Sequence, residues 1–388
     1  MKRLILRWQV SVAVGLLAFI LIPLTIRGDA GPAHRLDQPF PIQLGTSGGN
    51  IRDSSKAFCC GGTLGALIQD AAGNQFILSN NHVLARTNLA TIGEDIIQPG
   101  LIDQVPVCAK DANDAVADLS AFVPILFKTK KTMPTNTVDA AIAQVRPNAV
   151  DSSGSILDIG VINSATLAPS LNLPVKKSGR TTGLTTGAIT AVNVTVDISY
   201  SKTCGAGNQT ARFVNQIFVS PGSFLAGGDS GSLMVEDVAL APRAVGLLFA
   251  GSSTVAVANP IQAVLNAFDV TMVGSATTVS TSLLRTMVVF MRKFLGVSES
   301  QAASQQLPGE ADPAAVDAVT RIKERHESRL LGIPGVVGMG VGLSDRVAGQ
   351  PVIEIYVKQA TDSLRRTLPA SLDGVEVKIV ETGEIFAY

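Results

Sequence analysis

Between Phe58 and Gly274 the chain never holds one hydrophobic rhythm for long, and this limits its fold more than any other feature. Short stretches rich in Val, Ile, Thr and Leu (residues 63–69, 75–79, 188–198, 216–220, 232–235 and 244–250) alternate with Gly, Asn and Pro. Stretches this short, bounded by turn residues and β-branched in character, read as strands rather than helices. Many short strands in succession must close on themselves or stack as sheets, so the expected fold class is mainly β, a barrel or a sandwich. With 46% hydrophobic and 16% charged residues, the chain has enough apolar side chains to fill such a core. Residues 259–267 then read as a closing helix, with Asn259 as its cap and Pro260 in its first turn.

The flanks divide the chain further. Lys2, Arg3 and Arg7 precede an apolar run over residues 8–26 and a polar turn at 27–30, the pattern of an export signal. Two outcomes stay open for residues 1–30: cleavage near the small Gly28 and Ala30, or membrane attachment through residues 8–26, which are long enough to span a bilayer. Either places the rest of the chain outside the cytoplasm. Residues 31–56, rich in Gly, Pro, Ser and Asp, read as a tether into a β domain at 57–273. Residues 274–311 read as a linker carrying Leu284, Met287, Val288, Met291, Phe294 and Leu295 at helical spacing. A stripe of this kind usually packs on protein rather than on a membrane. Residues 312–388 read as a small α+β accessory domain. Its first helix runs from Asp312-Pro313 to about Leu331, and strands at 336–343, 352–357 and 375–380 surround a short helix near Leu364.

Charge and cysteines narrow the function. Lys+Arg and Asp+Glu are equal at 31 each, so no net field favours nucleic acid as a partner. Cys59, Cys60, Cys108 and Cys204 form an even set, consistent with one or two disulfides in an oxidising compartment. Adjacent Cys59 and Cys60 are too close to bridge each other; the pairing is otherwise open. Without a Cys-x-x-Cys pattern, and with only 3 scattered histidines, no metal site and no cofactor is expected.

One segment carries chemistry. In Gly227-Gly228-Asp229-Ser230-Gly231 the glycines let the backbone turn sharply enough for the N–H groups of Gly228 and Ser230 to converge on one point beside the Ser230 hydroxyl. A serine nucleophile needs a base and a carboxylate to orient that base. The histidines are His34 in the tether and His326 on the charged helix, both read as solvated, and His82, which follows the strand-like Phe76-Ile77-Leu78 and the turn Ser79-Asn80-Asn81. His82 is the candidate base. Asp139, alone among small apolar neighbours, is the preferred carboxylate because its flanks would keep water from a His-Asp pair. Asp118 is its competitor.

These residues bring a resemblance with them. Ser178-Gly179-Arg180-Thr181-Thr182-Gly183, continuing to Gly187-Ala188-Ile189-Thr190, resembles the hairpin before the nucleophile in bacterial α-lytic and streptogrisin-type proteases. Asn81-His82-Val83 is similar to exported trypsin-like proteins of the Deg type and of the plant narrow-leaf group. The order His82, Asp139, Ser230 is also that of chymotrypsin-like enzymes. The resemblance spans about residues 58–270. It implies two six-stranded β-barrels with a cleft between them, a protein or peptide substrate, and a primary pocket bordered by Phe224, Phe249 and Gly251. With no acid at that border, a small or apolar residue is expected before the scissile bond. Val83 and Lys177 stand where relatives carry cysteines, and Ser232 replaces a glycine. Two other readings stay open: a non-catalytic binding protein on the same scaffold, and a protease restricted to cutting its own linker.

Overall fold

The computed structural model describes residues 32–276 and 311–388. The expectations for residues 1–30 and for the helical stripe at 284–295 lie outside them. Among the described residues, no helix is long and apolar enough to cross a membrane.

The first half of the chain forms one curled sheet. Its strands are β1 (Thr46–Asn50), β2 (Gly62–Leu64), β3 (Ala66–Gln69), β4 (Gln75–Ser79), β5 (Asp95–Ile97) and β6 (Ala115–Phe122). After the two-residue β7 (Thr135–Asn136) comes β8 (Ala141–Val145). β1 pairs with β2, β3 with β4, β4 with β8, β8 with β6, β6 with β5, and β5 with β1. Because only Gly65 separates β2 from β3, they act as one bent strand and the ring closes at six members. The bend has a steric cause: a Cβ on Gly65 would stand 1.9 Å from the Gly231 carbonyl oxygen. Leu64, Leu67, Ile68, Ile77, Leu78, Ala117, Leu119 and Ala143 fill the interior.

Of residues 31–56, expected as a tether, the stretch from Ile42 to Asn50 is instead part of this barrel. Ile42 and Leu44 are fully buried in its core, and all five residues of β1 are buried. Their alternation with Pro41 and Gln43 is too brief to register as a strand, yet each apolar side chain finds the core.

The second ring comprises β9 (Pro174–Gly179), β10 (Gly183–Thr203), β11 (Ala206–Ser220), β12 (Leu233–Glu236), β13 (Ala244–Gly251) and β14 (Ala256–Pro260). The order β10-β9-β12-β13-β14-β11 returns to β10 through the long β10–β11 hairpin, giving a second closed barrel of six strands. Helix α1 (Asn81–Leu84) follows β4, and α2 (Ile261–Phe268) follows β14. The cap of α2 is Pro260, not Asn259 as expected; Asn259 lies in β14 with its side chain turned inward. β15 (Thr271–Met272) then returns to pair with β3 of the first barrel.

The remaining elements are α3 (Pro313–Leu330), β16 (Val336–Leu343), β17 (Pro351–Val357), α4 (Asp362–Thr367), β18 (Ser371–Leu372), β19 (Val375–Glu381) and β20 (Phe386–Ala387). Asp312 caps α3, its carboxylate accepting from the Ala314 N–H. β16 pairs with the middle of β10, so these strands, with β7 on the far edge beside β11, prolong the second barrel's sheet to twelve. The buried Lys323 of α3 donates to the Asn193 carbonyl of β10 at 2.7 Å, fastening the helix to that junction.

Candidate active site

The three residues selected from sequence stand on the facing sides of the two barrels. Asn81-His82-Val83-Leu84 makes α1, a single turn directly after β4, while Asp139 lies two residues before β8, which pairs with β4. Sheet pairing thus brings the two together. His82 Nδ1 lies 2.6 Å from Asp139 Oδ2, and the His82 N–H donates to Oδ1 at 3.3 Å. Asp139 is fully buried and its backbone is held from both sides: Asn80 donates to its carbonyl at 2.7 Å, and the Asn259 side chain accepts from its N–H at 3.0 Å. The turned-in Asn259 therefore supports Asp139. The competitor Asp118 is elsewhere, paired with Arg146 at 2.6 Å.

A second residue that donates to the Asp139 carboxylate escaped the sequence. The Tyr200 hydroxyl, on β10 of the other barrel, donates to Asp139 Oδ2 at 2.8 Å, and its ring meets His82 edge-on with centroids 5.9 Å apart. Burial first, then the charge of Asp139, pushes the Tyr200 phenol well above its ordinary value, so it stays a donor. No local signal marks Tyr200; it is one more residue on an alternating strand.

Ser230 is fully buried at the barrel interface. The Thr63 N–H of β2 donates to its carbonyl at 2.8 Å and the Thr63 hydroxyl donates to the Gly228 carbonyl at 3.0 Å. Gly228 and Gly231 have φ of +95° and +93°, a backbone region that L side chains rarely adopt. A Cβ on Gly231 would stand 2.1 Å from the Ser79 hydroxyl oxygen. Among the described backbone hydrogen bonds, the N–H groups of Gly228 and Ser230 donate to none. The Ser230 hydroxyl donates to the Phe249 carbonyl at 3.1 Å, and His82 Nε2 faces the Tyr388 carbonyl oxygen at 2.9 Å.

Beneath the serine, Asp229 fixes the loop. Its carboxylate accepts from the N–H groups of Thr181 at 2.7 Å, Thr182 at 3.1 Å and Ala226 at 3.0 Å, and from the Thr182 hydroxyl at 2.6 Å. Lys177, also fully buried, reaches Asp229 at 3.2 Å and the Gly183 carbonyl at 2.9 Å, and donates to the Thr182 hydroxyl. Burial pulls the Lys177 ammonium down while Asp229 opposes that pull. The position noted from sequence only as lacking a cysteine thus carries the loop's counter-charge.

His82 titrates above its ordinary 6.5. Burial is the largest influence and opposes the charged form, but the charge and hydrogen bond of Asp139, the Tyr388 carbonyl and the more distant Asp53 together outweigh it. Asp53 is pushed up to about 6, chiefly by burial, with Arg86 and His82 drawing it down. His82, Asp53, Arg180, Gly227, Gly228 and Tyr388 border a cavity of about 200 Å³ between the barrels.

Of the expected pocket residues, Gly251 meets the Tyr388 ring, while Phe224 packs behind it in the core. The Phe249 side chain packs against Phe213 in a tilted pair, 4.9 Å between centroids, while its backbone carbonyl faces Ser230. His34, expected to be solvated, is 4% exposed, with Nε2 3.0 Å from the Ser178 hydroxyl and 3.2 Å from Asp158. His326 pairs with Asp373 on the surface at 3.0 Å.

Two closed six-stranded barrels with these side chains between them make a chymotrypsin-like double β-barrel. No protein-family model and no curated protein matches the sequence. Solved structures similar to it include a glutamic-acid-specific serine protease that uses a histidine triad in substrate binding, at 18% identity and TM-score 0.40 over 60% of this chain and 100% of that one. Nocardiopsis protease is similar at 17% identity and TM-score 0.36 (55% and 92% of the two chains). Thermobifida fusca protease A follows at 14% identity and TM-score 0.38 (60% and 99%).

Proposed function

We propose that this chain is an exported serine endopeptidase that hydrolyses peptide bonds through an acyl-enzyme. Ser230 is the nucleophile, His82 its general base, and Asp139 holds the imidazole in the tautomer that leaves Nε2 free to accept the serine proton. The N–H groups of Gly228 and Ser230 stabilise the tetrahedral oxyanion. The carrying observation is the buried 2.6 Å contact of His82 Nδ1 with Asp139, made beside a serine loop whose two N–H groups donate elsewhere to nothing described. Two disulfides, Cys59–Cys108 and Cys60–Cys204, fit an oxidising compartment and hence export.

The proposed reaction draws on side chains and backbone. His82 takes the proton from Ser230 as the hydroxyl attacks the carbonyl carbon, then gives it to the leaving amine; water reverses the sequence to free the acid. A fluorophosphonate should label Ser230, with labelling abolished in Ser230→Ala and slowed at least a hundredfold in His82→Ala. Labelling unchanged in both variants would refute the assignment.

A further inference from the structure

The cavity that His82 borders is lined in part by Ala387 and Tyr388 of this same chain. β20 adds antiparallel to β13, with Ala387 opposite Ala250 and Phe386 opposite Gly251. Continuing that register sets Tyr388 opposite Phe249, the residue whose carbonyl accepts the Ser230 hydroxyl. There the Tyr388 carbonyl oxygen lies 2.9 Å from His82 Nε2. Its ring, half-buried, lies between two glycines. Tyr388 Cδ1 is 3.9 Å from where a Cβ on Gly227 would stand, and Cε2 is 3.0 Å from where one on Gly251 would stand.

The approach to the cleft is built as firmly as the docking itself. Ile385 is fully buried among the second barrel's apolar residues, and its carbonyl accepts from the Ser199 N–H at 2.9 Å. Glu384 accepts from the Ser199 hydroxyl at 2.5 Å and pairs with Lys358 at 3.0 Å. Phe386, by contrast, is 45% exposed. An extended segment added to a sheet edge, its main chain paired and alternate side chains seated in pockets, is how a groove of this kind holds a peptide.

We propose that residues 385–388 are an intramolecular plug: they occupy the acyl side of the substrate cleft as a substrate strand would, with Tyr388 in the primary pocket. The proposal rests on the reading of Ser230 and His82 as nucleophile and base. Two consequences follow from the chemistry. While His82 Nε2 donates to the Tyr388 carbonyl it cannot accept the Ser230 proton, and the Ser230 hydroxyl donates to Phe249 instead, so the docked state is resting. The pocket that holds a tyrosyl ring between Gly227 and Gly251 is shaped for a flat aromatic side chain before the scissile bond, which narrows the small or apolar residue expected from sequence to its large, flat members.

The magnitude follows from tethering. A short peptide strand binds weakly alone, but a tether supplies an effective concentration in the millimolar range, enough to hold a cleft mostly closed. The test compares the full chain with a chain ending at Ile385, which keeps the buried anchor. Fluorophosphonate labelling of Ser230 should be about tenfold faster or more in the shortened chain, and added Glu-Ile-Phe-Ala-Tyr peptide should slow it again competitively. A Gly251→Val variant of the shortened chain should no longer respond to the peptide. In nitroanilide substrates built on Phe-Ala-X, X = Tyr should exceed X = Ala or Arg by at least tenfold in kcat/KM. Equal labelling rates in the full and shortened chains, with no response to the peptide, would overturn the plug while leaving the protease reading intact. If neither chain labels, the protease reading fails, and peptide binding to the shortened chain, followed by the His82 ring resonances, still decides the plug: a shift supports it and none overturns it.

Discussion

At the scale of single residues, scarcity made the catalytic candidates legible. Three histidines leave few candidates for a base, and His82 is the one whose neighbours read as a strand end beside a turn. Asp139 was legible because an acid among small apolar residues needs a buried partner. Tyr200 and Lys177 were not, since Tyr200 acts through a contact between the barrels and Lys177 through one to a loop 52 residues further on, rather than through a local pattern. Tyr200 yields a sharp expectation. Its hydroxyl shares the Asp139 oxygen that faces His82 Nδ1. Tyr200→Phe removes one donor to a carboxylate, worth about 1.5–3 kcal/mol. Asp139 then presents more of its negative charge to His82, whose pKa, already raised, rises further. The base must be neutral to act, so the acid limb of the kcat/KM profile should move to higher pH. Activity at pH 6 should drop about tenfold while activity at pH 9 falls less than threefold. A profile scaled down uniformly at every pH would show that Tyr200 only fills space.

At the scale of elements, the strands were largely readable and their partners were not. Residues 75–79 and 336–343 form strands with the bounds expected, because alternation and turn residues are local properties. That β16 pairs with β10 is a long-range outcome with no signal in either segment. The tether was misread for a related reason: Ile42 and Leu44 offer two apolar positions, too few to establish a period, and only the finished barrel explains their burial. The break between β2 and β3 is the element on which the site depends most. Gly65 lets the first barrel approach the Gly231 carbonyl, and a methyl group there would overlap backbone rather than a movable side chain. Gly65→Ala should therefore push the Ser230 loop away from α1, lowering kcat by tenfold or more with a stability loss of about 1–3 kcal/mol. Gly49→Ala on β1, where the nearest atom to the new Cβ is 3.4 Å away, is the matched control and should stay within twofold of the parent. Equal losses in both variants would assign the effect to the barrel in general rather than to the contact.

At the scale of the whole molecule, the proposed site is shared across an interface, so whatever fixes the two barrels relative to each other also fixes the distances between its residues. His82 and Asp139 belong to the first barrel, Ser230, Asp229 and Tyr200 to the second. The two disulfides divide along the same line. Cys59–Cys108 closes a loop of sequence separation 49 within the first barrel's segments. Cys60–Cys204 spans 144 residues, joining the approach to β2 with the turn between β10 and β11, beside the cavity that His82 borders. Both cross-links restrict the unfolded chain, and loop-closure entropy grows only slowly with loop length, so each should contribute about 2–4 kcal/mol to stability. Their effects on activity should differ. Replacing both Cys59 and Cys108 with serine costs stability but leaves the barrels' alignment to the Thr63–Ser230 and Thr63–Gly228 contacts. Cys59 lines the cavity too, but only Cys60–Cys204 ties that wall to the second barrel's hairpin, so replacing both Cys60 and Cys204 frees the wall as well. That variant, assayed well below its melting temperature, should show KM raised at least fivefold, against less than twofold for the other pair. Matching KM values in the two variants would place the alignment of the barrels in their packed core alone.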